Sequence, residues 1–344
     1  MKGAVLWEVN KPLIVETEIK IPELKSGQVL VKLEYSGVCH SQLMEARGKR
    51  GKDNYLPHLL GHEGSGQVVA IGDSVSKISV GDLVILGWIK GKGENVSGPK
   101  YQLRGKNVNS GPVTTFSTYS IVSENRVVPL PSGVPKDIAV LFGCALPTGA
   151  GIILNEIKPE KGSIILFLGL GGIGLSALMA CSLFECETVI AIDINEEKLS
   201  LAQKFGATHI INSLDVDPLK EVKDITGGLG VDYSVEAAGR VETIEMAFKM
   251  LKRNGGKCIF ASHPEADKKI CLDPFELISG KQIQGSWGGS SNPDNDIPRL
   301  AELYLQSRFP LELLLTKTYT LEEINEALYD LEVGNVFRPL INLT

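Results

Sequence analysis

The sequence predicts an α/β protein of two domains, one of them built on a doubly wound parallel sheet. Three observations predict it. A chain of 344 residues exceeds what one core usually fills, since cores stop growing at about 250–300 residues. Between about 160 and 285, apolar runs that read as strands alternate with amphipathic runs that read as helices. Before about 150 the text changes character, to short Val-, Gly- and Pro-rich runs typical of small strands and turns.

Taken in order, "GQVLVKLEYSG", "GSGQVVAIG", "GDLVIL" and "STYSIVSENRVVPLP" read as strands of the first domain. Then come "SIILFLGL" as strand, "GGIGLSALMACSLF" as helix, "TVIAID" as strand, "NEEKLSLAQKFGA" as helix, and "HIIN" and "VDYSVEAAG" as strands. "VETIEMAFKML" follows as helix and "GKCIFAS" as strand, and alternation of this kind builds a parallel sheet with helical crossovers. The last stretch, "NPDNDIPRLAELYLQSR" to "FRPLINLT", holds two helical patterns and a final strand, and is expected to pack back on the first domain.

Composition narrows the function classes. With 43% hydrophobic and 22% charged residues the chain reads as an ordinary globular protein, and no apolar run approaches the roughly 20 residues that cross a bilayer. A net charge of −6 gives no global attraction to nucleic acid, although "EARGKRGK" at 45–52 is locally basic. No membrane and no nucleic-acid partner is expected. The start, "MKGAVLWEVNKPLIVETE", has no long apolar core or small-residue cleavage site, so a cytoplasmic location is expected. There the cysteines at 39, 144, 181, 186, 258 and 271 stay reduced, each a small core residue or a ligand.

"IILFLGLGGIG" places Gly169, Gly171 and Gly174 in a G-x-G-x-x-G array after an apolar strand, with Gly172 opening the helix. Such a turn lets backbone approach a pyrophosphate, and the helix N-terminus supplies amide donors and a positive dipole end. Asp193 ends the next strand, where a carboxylate accepts from both ribose hydroxyls and repels the extra phosphate of NADP. NAD is the expected cofactor, with Lys198 on the first turn of the following helix, near the adenosine ribose.

Cys39, His62, Glu63 and Cys144 are candidate metal ligands, because thiolate, imidazole and carboxylate are ligand chemistries. Here the sequence resembles the zinc-dependent medium-chain alcohol dehydrogenases. The motifs "GVCHS", "GHEGSGQVVAIG", "GDLVI", "CALPTGAG", "GLGGIG", "IDIN", "EAAGR" and "FRPLINL" stand in family order across nearly the whole chain. The resemblance implies an N-terminal GroES-like β-barrel catalytic domain (1–148 plus 288–344), with an inserted Rossmann domain (149–287) and a cleft between them. It carries the catalytic zinc ligands onto Cys39, His62 and Cys144, with Glu63 as a carboxylate that coordinates transiently. Such a zinc keeps one coordination position for substrate, where an alcohol oxygen loses its proton more easily and hydride passes to the nicotinamide.

The same resemblance puts Ser41 beside the substrate oxygen as proton relay, His40 and Arg338 on the cofactor pyrophosphate, and Thr148 near the nicotinamide. Trp88 falls where a side chain lines the substrate pocket or the core, and Trp287 where the family meets the cleft or a dimer partner. A homodimer or homotetramer acting on a small alcohol or its carbonyl partner is implied. The rival readings are a zinc-free quinone or enoyl reductase of the same superfamily, and a non-catalytic NAD-binding protein.

Three departures stand out. Residues 89–112 contain no cysteine, so the family's second, structural zinc is expected to be absent and a flexible loop to replace its lobe. Gln42 stands where many relatives carry an Asp that supports a metal ligand, which predicts a less basic ligand and weaker metal binding. Met44 stands where some relatives have a shuttle histidine. Arg47, Lys49, Arg50 and Lys52 read as a solvated loop, with the alternative that one of them holds a polar or anionic substrate.

Overall fold

A computed structural model describes residues 1–344 and divides them into two compact units, Met1–Cys144 with Asn292–Thr344, and Ala145–Ser291. Two sheets carry the fold. Along the chain run β1 (Gln28–Gly37), α1 (His40–Ala46), β2 (Glu63–Ile71), β3 (Leu83–Gly87), β4 (Tyr119–Ser123), β5 (Val127–Pro129) and α2 (Ala145–Gly151). Then come β6 (Ile164–Leu168), α3 (Gly172–Cys181), β7 (Thr188–Asp193), α4 (Glu196–Lys204), β8 (His209–Asn212) and β9 (Tyr233–Glu236). The chain continues through β10 (Lys257–Phe260), β11 (Gln282–Gly285), β12 (Thr318–Thr320), α5 (Ile324–Val333) and β13 (Leu340–Asn342). No single helix is long and apolar enough to cross a membrane.

The sheet of the first unit runs β5-β3-β2-β1-β13-β12, with β4 also paired to β1. Strand β1 alternates: Val29, Val31 and Leu33 point into a cluster with Val68, Val84, Leu86, Val122 and Val127, while Lys32 is exposed. Each such side chain, once buried, contributes about 1.5–3 kcal/mol. One edge of β1 is shared by two partners. Gln28–Lys32 pair with β4, and Tyr35–Gly37 pair with β13, so the end of the chain is stitched into its beginning.

The segment 89–112 is not the expected flexible loop. Tyr101–Leu103 and Lys106–Val108 form an antiparallel hairpin whose two-residue turn, Arg104-Gly105, has positive φ at both positions, as a type I′ turn requires. Tyr101, Leu103 and Val108 are buried with Val5, Ile19 and Leu59, and the Tyr101 hydroxyl accepts from the Ile121 N–H at 3.0 Å. Apolar packing thus orders the lobe without cysteines. The hairpin is hard to see in the text because Arg, not Asn, Asp or Gly, opens its turn.

In the second unit six parallel strands lie in the order β8-β7-β6-β9-β10-β11. The order reverses between β6 and β9, which places the switch point of the sheet at the carboxyl end of β6. Strand β6 is buried on both faces, as a central parallel strand must be. The edge strand β11 adds one strand to the five read from the text; "QIQG" has a single apolar residue and gives no periodic signal.

Candidate functional site

In the first unit, Cys39 follows β1 and immediately precedes α1, His62 precedes β2, and Cys144 ends the segment after Gly143. A Cβ at Gly143 would collide with the Leu86 carbonyl and crowd Glu63, so only glycine lets this segment press against β2 and β3. The ligand atoms of Cys39, His62 and Cys144 all lie within 4.8 Å of one another, and His62 Nε2 is 3.1 Å from Cys144 Sγ. Cys144 is buried, and Cys39 and His62 are half-buried. The two sulfurs behave as a pair. The hydrogen bond from Cys144, helped by Arg338 and His62 against the cost of burial, holds the Cys39 thiol well below its ordinary range. That same bond, together with burial and the neighbouring negative charges, pushes Cys144 well above it. Two thiols sharing one negative charge beside an imidazole make a donor set that suits a soft, tetrahedral cation such as zinc.

Glu63 is not part of that grouping. Its carboxylate is fully buried, with Arg338 Nη2 at 2.6 and 2.7 Å from its two oxygens. Burial pushes the Glu63 carboxyl up and Arg338 opposes this, while the neighbouring negative groups hold Arg338 well above its ordinary range. A guanidinium that keeps its proton at this distance supports the ionised carboxylate. Arg338, expected on a pyrophosphate, is thus 4% exposed and engaged with Glu63.

On α1, Ser41 Oγ is 3.3 Å and Gln42 Nε2 is 2.6 Å from His62 Nδ1. His40 opens the helix with an exposed side chain, and Met44 is half-buried. In the basic run, Arg47 forms a forked pair with Glu332 of α5 at 2.6–3.2 Å, and Arg50 lies 3.9 Å from Glu45. Arg47 therefore anchors the loop to the fold. A second grouping, Glu45, Asp53 and His58, has His58 Nε2 at 2.8 Å from Asp53 and Nδ1 at 3.0 Å from the Leu59 carbonyl, which pins the loop's far end.

In the second unit the glycine turn stands at the switch point. Gly169 has φ +88, and a Cβ at Gly174 would overlap the Gly169 carbonyl oxygen, so the turn closes onto α3 only with glycine at both places. At Gly171 a Cβ would meet nothing within 4 Å, so the backbone there is open to an approaching group, and Gly172 beside it is half-buried. Asp193 ends β7 with its carboxylate fixed by backbone donors: Leu170 N–H at 2.6 Å on one oxygen, Ile194 and Asn195 N–H at 2.8 and 3.1 Å on the other. Lys198 lies half-buried in the first turn of α4, its N–H donating to the Asn195 cap. Thr148 on α2 is buried with an Oγ1 that has no hydrogen-bond partner. Trp88 is half-buried, and Trp287 is 81% exposed.

One residue of this unit went unassigned in the sequence. Glu236, at the end of β9, is fully buried and accepts from Ala238 N–H, Gly239 N–H and Thr243 Oγ1 at 2.7–2.9 Å on Oε1, while Oε2 has no partner. Ala238 is the backbone against which Gly169 packs, so this carboxyl braces the glycine turn from behind. Burial pushes its pKa up to about 7, against the opposing pull of those three donors. A raised carboxyl stabilises the fold fully below its ordinary pKa and loses that contribution as pH rises through the folded value. Stability of this unit is therefore expected to fall by about 3 kcal/mol between pH 4.5 and 7.5. Urea unfolding of the parent and of Glu236→Gln checks this, with a shallower fall expected in the variant and an unchanged one refuting the assignment.

A thiol and imidazole metal-type centre in one unit and a dinucleotide-type sheet in the other define the class: a two-unit dehydrogenase. Comparisons with known proteins agree. Residues 25–132 match the alcohol dehydrogenase GroES-like domain, and residues 172–306 match the zinc-binding dehydrogenase family. Benzyl alcohol dehydrogenase from Acinetobacter calcoaceticus is 33% identical over 100% of this chain and 99% of its own, with a TM-score of 0.90. An alcohol dehydrogenase zinc-binding domain protein from Burkholderia ambifaria is 30% identical over 100% and 98%, with a TM-score of 0.91. The alcohol dehydrogenase of Aeropyrum pernix is 27% identical over 100% of both chains, with a TM-score of 0.83. The chain belongs to the zinc-type alcohol dehydrogenase family and is an alcohol oxidoreductase.

Proposed function

We propose that this chain is an NAD-dependent alcohol dehydrogenase with one catalytic zinc, held by Cys39, His62 and Cys144, and no structural zinc. The observation that carries the reading is the grouping of those three ligand atoms within 4.8 Å. When bound, zinc supplies Lewis acidity, which eases proton loss from an alcohol and hydride addition to a carbonyl. NAD supplies the hydride acceptor.

The chain's own residues do the rest. Cys39 and Cys144 hold the metal as thiolates, and Arg338 beside them offsets their accumulated negative charge. Glu63 in turn keeps Arg338 in place. Ser41 carries the hydroxyl that exchanges a proton with substrate. Asp193, its carboxylate fixed by backbone N–H groups, accepts from the ribose and disfavours an added phosphate. Gly171, Gly172 and the start of α3 face the pyrophosphate, and Thr148 offers its hydroxyl toward the nicotinamide. A homodimer or homotetramer completes the reading, supported by the free edge of β11 and by the exposed Phe275, Ile278 and Trp287. Substrates are small alcohols; likeness to a benzyl alcohol dehydrogenase puts aromatic alcohols first on the panel and polyols second.

Metal content measured with NAD and NADP reduction across that panel tests the proposal. Zinc together with NAD-dependent turnover is the expected result. Turnover without zinc would mean the zinc-free reductase, and NAD binding with neither would mean a non-catalytic protein. Gly174→Ala is expected to weaken NAD binding at least about fivefold, because the added methyl forces the turn off α3 at a cost of about 1 kcal/mol or more. Fluorescence titration of the folded variant reads it, and unchanged affinity would refute the close packing assigned to the turn.

A further inference from the structure

The side chain of Gln42 is 3% exposed and reaches two groups of the metal centre at once. One terminal atom, Oε1, is 3.2 Å from the Cys39 N–H; the other, Nε2, is 2.6 Å from His62 Nδ1. An amide has one accepting end and one donating end. The Cys39 N–H can only donate, so it takes the oxygen. The NH2 end then faces Nδ1, which must accept, and the proton of the neutral ring sits on Nε2, aimed at Cys144 Sγ 3.1 Å away.

Metal binding asks for the opposite arrangement. A ligating imidazole gives its lone pair to the metal and donates the N–H of its other nitrogen to an acceptor. With Nε2 on the Cys144 side as the ligand, Nδ1 must carry the proton and would meet the Gln42 NH2. Turning the amide over satisfies Nδ1 but sets the NH2 against the Cys39 N–H. Either way one donor confronts another. A carboxylate in this place would accept at both ends. Ser41 Oγ, at 3.3 Å, is the nearby alternative acceptor for Nδ1, at the cost of drawing that hydroxyl away from substrate.

We propose that Gln42 is a positioning residue that holds His62 in the tautomer protonated on Nε2, so that this chain captures and keeps zinc less tightly than its Gln42→Glu variant. The second half rests on the zinc reading above; the first does not. In the metal-free full-length protein, nitrogen-15 NMR of labelled histidine is expected to show His62 with Nδ1 unprotonated in the parent and protonated in Gln42→Glu. Competition with a chromogenic chelator is expected to show zinc bound about 10–100-fold more tightly by Gln42→Glu. Gln42→Asp carries the same two accepting ends on a shorter stem and is read in the same way if Gln42→Glu does not fold. An unchanged tautomer overturns the positioning role. Equal or weaker zinc binding with a switched tautomer overturns its consequence for the metal, and zinc held by neither protein overturns the zinc reading itself.

Discussion

Cys39→Ser protein is expected to emerge from purification without zinc and to oxidise alcohols at least about 10³-fold more slowly than the parent. The sulfur it removes is the one that carries the shared negative charge of the pair, because Cys144 donates toward it and Arg338 faces it. A serine hydroxyl does not ionise there and leaves one thiol and one imidazole, too few to hold a zinc with a place for substrate. Lewis-acid stabilisation is worth several kcal/mol, and at 1.36 kcal/mol per decade this amounts to three orders of magnitude or more. Metal analysis and initial rates on the same sample check it. Full activity with zinc retained would remove Cys39 from the centre.

The second large effect is on stability. Arg338→Leu is expected to destabilise the first unit by about 3–5 kcal/mol, since it strands a carboxylate in a site with no exposure. The loss should be partly recovered in the double variant Glu63→Gln with Arg338→Leu, where the buried carboxylate is gone and only the charge on the Cys39 and Cys144 pair has lost its counter-charge. Equilibrium urea unfolding of the three proteins reads the cycle. A single variant within 1 kcal/mol of the parent would mean that Glu63 is protonated or finds water, and that the pair does not organise the centre.

The parts of the site that were legible in the sequence are those where chemistry restricts the residue type. Glycine at 169 and 174, a carboxylate at 193, and sulfur or imidazole at 39, 62 and 144 have few substitutes, and the structure gathers the last three. Partnerships were not legible. Glu63 and Arg338 are 275 positions apart, and nothing in either motif says that their charges meet. Gln42 announced itself as a missing negative charge, but only geometry shows its two ends serving different masters. The hairpin at 101–108 escaped because Arg, not Asn, Asp or Gly, opens its turn ahead of Gly105, and β11 escaped because an edge strand needs no apolar alternation.

The sharing of β1 between β4 and β13 has a consequence for synthesis. Ribosomes deliver the inserted unit, Ala145–Ser291, before residues 338–342, so it can acquire its shape while the first unit still lacks a strand. Until that final segment leaves the exit tunnel, Tyr35–Gly37 of β1 lack a partner on one edge and Glu63 waits without its guanidinium. A nascent chain stalled short of Arg338 would therefore carry a completed parallel-sheet unit joined to a first unit whose buried Glu63 carboxylate still lacks its counter-charge.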